Sequence, residues 1–227
     1  MGKALSKLWG FLGIEFNKKW KRMWIVLVCV VIYLVTFSWI ESLEPANLHI
    51  IHSFIDDYIP FWPQFIIPYY MWFPLVGVTM AYYALFQKND VEYYSFILML
   101  ALGVIFFIVI SLVWPNGLNL RPDVSGPGFW NGIMRGLYAA DTPTNVFPSL
   151  HVYGSLVAIV PTWRIQRKKH KKITWFVVIL AILICISTVF VKQHSVIDAF
   201  AGVVCAIVFY LISYKIVRFD KIGGKKD

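Results

Sequence analysis

His194 and Asp198 lie four residues apart, a spacing that puts both side chains on one face of a helix. A carboxylate so placed can hold one imidazole nitrogen and leave the other as a nucleophile. Earlier in the chain, Phe147-Pro148-Ser149-Leu150-His151 joins a proline, a hydroxyl and a second imidazole. Proline is favoured at a helix start, where its missing N–H is not needed. Asp141, Thr142 and Thr144 precede it as turn and capping residues. The free N–H groups of that first turn, the Leu150 N–H among them, suit a phosphate, as does the positive end of the helix dipole. Ser149 would add a hydroxyl donor, and His151 would protonate a departing oxygen. Arg121 offers a fixed charge and a fork that matches phosphate oxygens. Taken singly, each group has a plain structural reading: a polar pair between helices, a cap followed by a packed histidine, a loop arginine beside Asp123. Taken together they point to chemistry at phosphorus.

The elements that must position these groups are set by composition. Of 227 residues, 59% are hydrophobic and the mean hydropathy is +0.67, against roughly 45–50% apolar in soluble domains. The solvent is therefore lipid, and helices are the natural spanning element. The pattern predicts an all-α polytopic membrane protein with six transmembrane helices, over residues 23–40, 65–86, 94–114, 148–163, 174–191 and 195–217. Residues 1–22 read as a basic amphipathic segment lying on the membrane, with no cleavage site for a leader. Residues 23–217 form one six-helix domain, and 218–227 a basic tail. A short interfacial helix is expected at 49–58. A polar Gly/Pro-rich connection is expected at 115–147, with Gly126 and Gly128 shaping a turn. Cys29, Cys185 and Cys205 all sit in apolar runs, as small buried hydrophobes do.

The basic residues set the orientation. With both termini cytoplasmic, 18 Lys and Arg fall on the cytoplasmic side and only Arg121, Arg135 and Lys192 on the other. The formal charge of +9 thus reflects topology and contact with anionic lipid on the cytoplasmic side, not a nucleic-acid surface. The same threading puts Arg121, the Ser149–His151 segment and the His194–Asp198 pair together at the outer face. The expected location is a cell membrane, crossed several times, with the site facing outside or a lumen. His170 falls in the basic inner loop; His49, His52, Asp56 and Asp57 fall on the outer side without an assigned role.

Arg-Pro at 121–122, Pro-Ser-x-His at 148–151 and His-x-x-x-Asp at 194–198 resemble, in order, the three signature motifs of the type-2 phosphatidic acid phosphatase superfamily. The likeness covers roughly residues 65–217. The Phe147–His151 form and the run Gln193-His194 through Asp198, Ala201 and Gly202 resemble its inositolphosphotransferase-like branch, which includes inositol phosphorylceramide synthase. The resemblance implies that His194 attacks phosphorus and forms a phosphohistidine, that Asp198 orients it, and that His151 serves as general acid and then base. It implies that Arg121, Ser149 and backbone N–H groups such as that of Leu150 hold the phosphoryl oxygens. It also implies a lipid phosphoester substrate, water or an alcohol as acceptor, and neither metal nor other cofactor.

Three positions depart from the family pattern. Trp114 stands for the first-motif lysine, Thr188 for the third-motif arginine, and Leu150 for the glycine between serine and histidine. Lys192 and Arg135 are the candidates to restore the missing charge. Because a phosphomonoester dianion needs more countercharge than a diester, the depleted set leans towards a diester, a pyrophosphate-linked lipid or head-group transfer. Two other classes compete. One is a transporter with the His/Asp pair as proton relay. The other is a metal-dependent hydrolase with His151, His194 and Asp198 as ligands.

Overall fold

A computed structural model describes residues 18–43, 47–168, 170–217 and 219. The chain is an all-α polytopic membrane protein. Five stretches are long and apolar enough to cross a membrane among the described residues: Lys19–Glu41, Pro63–Phe86, Asp90–Val113, Lys171–Phe190 and Val196–Ile216. Helix α1 spans Lys18–Glu41. Many of its large apolar side chains face outward (Val31, Ile32, Val35), which lipid tolerates and water would not. Most of the expected amphipathic segment, 1–17, and the basic tail 218–227, apart from Phe219, lie outside the described residues.

The expected interfacial helix at 49–58 is corrected in part. His49–Ile50 is a short strand, β1, and only Phe54–Tyr58 is helical, as α2. Ser53 caps α2 in a reciprocal capping box with Asp56. The second span is broken: a 3-10 turn at Pro63–Phe65, then α3 (Ile66–Tyr70), then α4 (Trp72–Phe86). Pro74 cannot donate to the Tyr70 carbonyl and its ring crowds that group, so the helix is interrupted at Met71.

Helix α5 (Asp90–Val113) is capped by Asn89, whose side chain accepts from Val91 and Glu92 N–H. Strand β2 (Asn116–Gly117) follows and pairs in parallel with β1. The connection at 115–147 is not wholly irregular, as expected from its glycines. Phe129–Ala140 is an amphipathic helix, α6, that buries Met134 and Leu137. Its apolar positions Trp130, Ile133, Met134, Leu137 and Tyr138 carry the helical period.

The segment expected as the fourth span is α7 (Leu150–Pro161), extended by a π-helical turn at Thr162–Gln166, and it is not among the five stretches long and apolar enough to cross. It is the inner helix of the bundle and touches α4, α5, α8 (Lys171–Phe190) and α9 (Val196–Leu211). Val152, Tyr153, Ser155, Val157 and Ala158 on it are buried. Central helices can be short because neighbours rather than lipid cover their ends. The core runs along this helix: Tyr83, Phe96, Met99, Tyr153, Val157 and Ala206 form one cluster. A second, at the end nearer His194, joins Ile66, Tyr69, Met134, Leu137 and Val191.

Candidate functional site

His194 belongs to the turn between α8 and α9. Its N–H and that of Gln193 both donate to the Thr188 carbonyl, at 3.1 and 3.0 Å. Ser195 caps α9 by accepting from the Ile197 N–H. Asp198, one turn into the helix, is fully buried. Its Oδ2 lies 2.6 Å from His194 Nδ1. A carboxylate accepts, so the proton sits on Nδ1 and the Nε2 lone pair is available.

The turn is held from outside by Asp56, a buried residue of α2. Asp56 Oδ1 accepts from the Val196 N–H (2.9 Å) and Oδ2 from the Ser195 hydroxyl (2.5 Å). A carboxylate at a helix N-terminus also meets the positive dipole end. Lys192, at φ +55°, donates its amine to the carbonyls of Asp56 and Ile59 at 2.9 and 2.6 Å. The expectation that Lys192 supplies charge to a phosphate is thereby corrected, since its donors secure the α2 loop. Burial pushes this amine down while Asp56 pulls it up. Arg135 is likewise spent on the carbonyls of Val124, Ser125 and Gly126.

Helix α7 brings its first turn against α9. Ser149 N–H donates to the Asp198 carbonyl at 3.0 Å, and Gly202 lets the two backbones meet. A Cβ on Gly202 would lie 2.8 Å from the Ser149 carbonyl oxygen. Ser149 is the cap of α7: it is buried, and its Oγ accepts from the Val152 N–H at 3.3 Å. This corrects the expectation of a Pro148 helix start. Leu150 is the first residue of the helix, where backbone N–H groups have no intrahelical partner. Thr142 and Thr144 do not cap α7 either; both hydroxyls donate to Glu41 at the end of α1, as does Asn145 Nδ2.

His151 and His194 line one cavity of about 60 Å³, with ring centroids 5.7 Å apart. This is room for a few water-sized groups. His151 stacks on Tyr69 (4.4 Å) and tilts against Trp72 (4.7 Å). Its Nε2 is buried and has no hydrogen-bond partner among the described residues. The Tyr69 hydroxyl donates to Asp141 Oδ2 at 3.1 Å, and Asp141 also lines the cavity, as do Leu150, Gln193 and, from α1, Tyr33 and Phe37. Burial pushes the Asp141 carboxyl above its ordinary range, opposed by His194 and Arg121. Arg121 donates to Gln193 Oε1 and to the Tyr138 carbonyl, and its guanidinium packs on the Tyr138 ring at 4.6 Å. Arg121 therefore stands one side chain back from the cavity, behind Gln193. Burial pushes this guanidinium down, but it remains a cation.

Residues outside the expected set thus complete the surroundings: Asp56, Tyr69, Asp141 and Gln193. Gln193 adjoins His194 in sequence, which was a usable signal. Asp56 and Tyr69 are brought in from distant elements, and nothing local marks them. At the departing positions, Trp114 packs on His49 and Phe147, and Thr188 is buried with its hydroxyl on the Cys185 carbonyl. Neither brings charge. Among the described residues, no group of three His, Cys, Asp or Glu side chains converges as metal ligands would.

Residues 119–222 match the family model described as the PAP2 superfamily. No curated protein and no solved structure matches the chain.

Proposed function

Because residues 119–222 belong to the PAP2 superfamily, we propose that this membrane protein is a lipid phosphatase or lipid phosphotransferase that works through a phosphohistidine on His194. The observation that carries the reading is the pairing at one cavity of two imidazoles in unlike settings. His194 has Nδ1 tied to Asp198 at 2.6 Å, while His151 keeps a buried, unpartnered Nε2. A buried nitrogen without a protein partner is rare and calls for one; a reacting oxygen would supply it.

In the proposed cycle the His194 Nε2 lone pair forms a bond to phosphorus as the ester P–O bond breaks. His151, protonated, delivers its proton to the departing alkoxide. His151 then takes a proton from water or an alcohol as that oxygen attacks phosphorus and the P–N bond breaks. Asp198 holds the His194 tautomer and stabilises the positive ring. The Leu150 N–H and the dipole of α7 face the phosphoryl oxygens, and Arg121 contributes charge through Gln193. The distribution of Lys and Arg between the two sides of the membrane supports an outward-facing site.

Among the described residues no Lys or Arg lines this cavity, and Arg121 stands behind Gln193. A diester monoanion or a pyrophosphate-linked lipid, or head-group transfer between lipids, suits that sparse countercharge better than a monoester dianion. The test is to incubate purified protein with lipid monophosphates, lipid pyrophosphates and phosphodiester lipids, with and without alcohol acceptors, and to identify products by mass. Turnover of one class, abolished in His194→Ala, is expected. Rapid release of phosphate from phosphatidic acid with diesters untouched would overturn the substrate preference; turnover surviving in His194→Ala would overturn the mechanism.

A further inference from the structure

The other end of α7 and α8, a full helix length from His151 and His194, carries a hollow of about 470 Å³. This is within the size range of ligand sites. Its walls are Trp163 and Trp175, with ring centroids 5.7 Å apart and planes at 88°. Buried Thr174, Arg167, Lys168 and Lys171 also line it. The Arg167 guanidinium sits 5.7 Å from the Trp163 ring centroid.

The charges here are not balanced internally. Arg164, one turn away, is neutralised by Glu92 at 2.6 and 3.1 Å. Arg167, Lys168 and Lys171 have no carboxylate partner among the described residues. Lys171 also opens α8, so the positive dipole end adds to the same field. Three uncompensated cations around a concavity call for an anion. The indole walls call for an apolar portion on that anion, which free phosphate lacks. Tryptophan and basic residues at helix ends lie at head-group depth.

We infer that this hollow binds the phosphate head group of an anionic phospholipid, in the leaflet opposite the His194 site. Cations ring the phosphate, and the two indoles take the glycerol and the first methylenes. The site is separate from the histidine chemistry and stands or falls independently of it.

The test uses full-length protein in neutral detergent and counts retained lipid by native mass spectrometry. Phosphatidylglycerol, phosphatidylcholine and inorganic phosphate are offered in turn. One phosphatidylglycerol retained over phosphatidylcholine is expected. The triple variant Arg167→Gln, Lys168→Gln, Lys171→Gln should weaken retention about tenfold or more. The variant Lys21→Gln, Lys88→Gln, Lys215→Gln removes equal charge outside the hollow and should retain lipid as the parent does. Lys168 is exposed, so Lys168→Glu alone should keep the thermal midpoint and lower retention. Equal loss in both triple variants, unchanged retention in Lys168→Glu, or displacement of the lipid by inorganic phosphate would each overturn the assignment.

Discussion

At the scale of single residues, the partner of each ionisable group sets what that group can do. Asp198 touches His194 and is sealed from solvent, so its proposed work is to fix the ring and balance its charge. Asp198→Asn keeps the volume but removes the anion, and turnover is expected to fall roughly 10²–10⁴-fold with little change in KM. Unaltered turnover in a folded variant would contradict that role. Asp141 offers a pH test. Burial raises its carboxyl in the folded protein, so its contribution to stability is fully present below the unfolded-state value. That contribution is lost as pH rises through the raised one. Asp141→Asn imitates the neutral form, and its thermal midpoint relative to the parent should rise across that window. A constant difference at all pH values would show that the carboxyl does not titrate there. The sequence exposed His151, His194 and Asp198 because motif spacing is local. It did not expose Tyr69 or Asp56, whose side chains meet the site only through tertiary folding, and it overrated Lys192 because residue type does not tell where an amine points.

At the scale of elements, the site depends on the crossing of α7 and α9. The Ser149 N–H bond to the Asp198 carbonyl and the bare Gly202 surface bring the two helix starts into contact, as small residues do between membrane helices. In Gly202→Ala the new methyl meets both the Ser149 carbonyl and Val152 Cβ, the latter at 3.1 Å. We expect a cost of ~1–3 kcal/mol and a loss of turnover that exceeds the loss of folded protein, read from parallel activity and thermal unfolding measurements. An unchanged variant would show that the crossing is not tight. Hydropathy made the long helices legible, since an apolar run must find lipid or core. It blurred α6, whose glycines resembled a loop although its apolar period was present. It also missed the break at Met71, which Pro74 signals but span-length reasoning smooths over.

At the scale of the whole molecule, a charge split between the two ends accompanies a split of duties. One end gathers imidazoles and carboxylates around a small cavity; the other gathers tryptophan and cations. The proposed orientation puts exposed Ser125 outside and exposed Lys88 inside. Cysteines placed singly at these positions in a cysteine-free background should differ: the first labels with an impermeant maleimide on intact cells, the second only after permeabilisation. The reverse pattern would invert the topology.

The central claim, covalent catalysis by His194, is tested most directly by acid-free quenching of the protein during turnover of a ³²P-labelled lipid substrate, followed by peptide mass spectrometry. An alkali-stable, acid-labile phosphoryl group on His194, absent from His194→Ala, is expected. A phosphoryl group on another residue, or full turnover with His194 never modified, would contradict it.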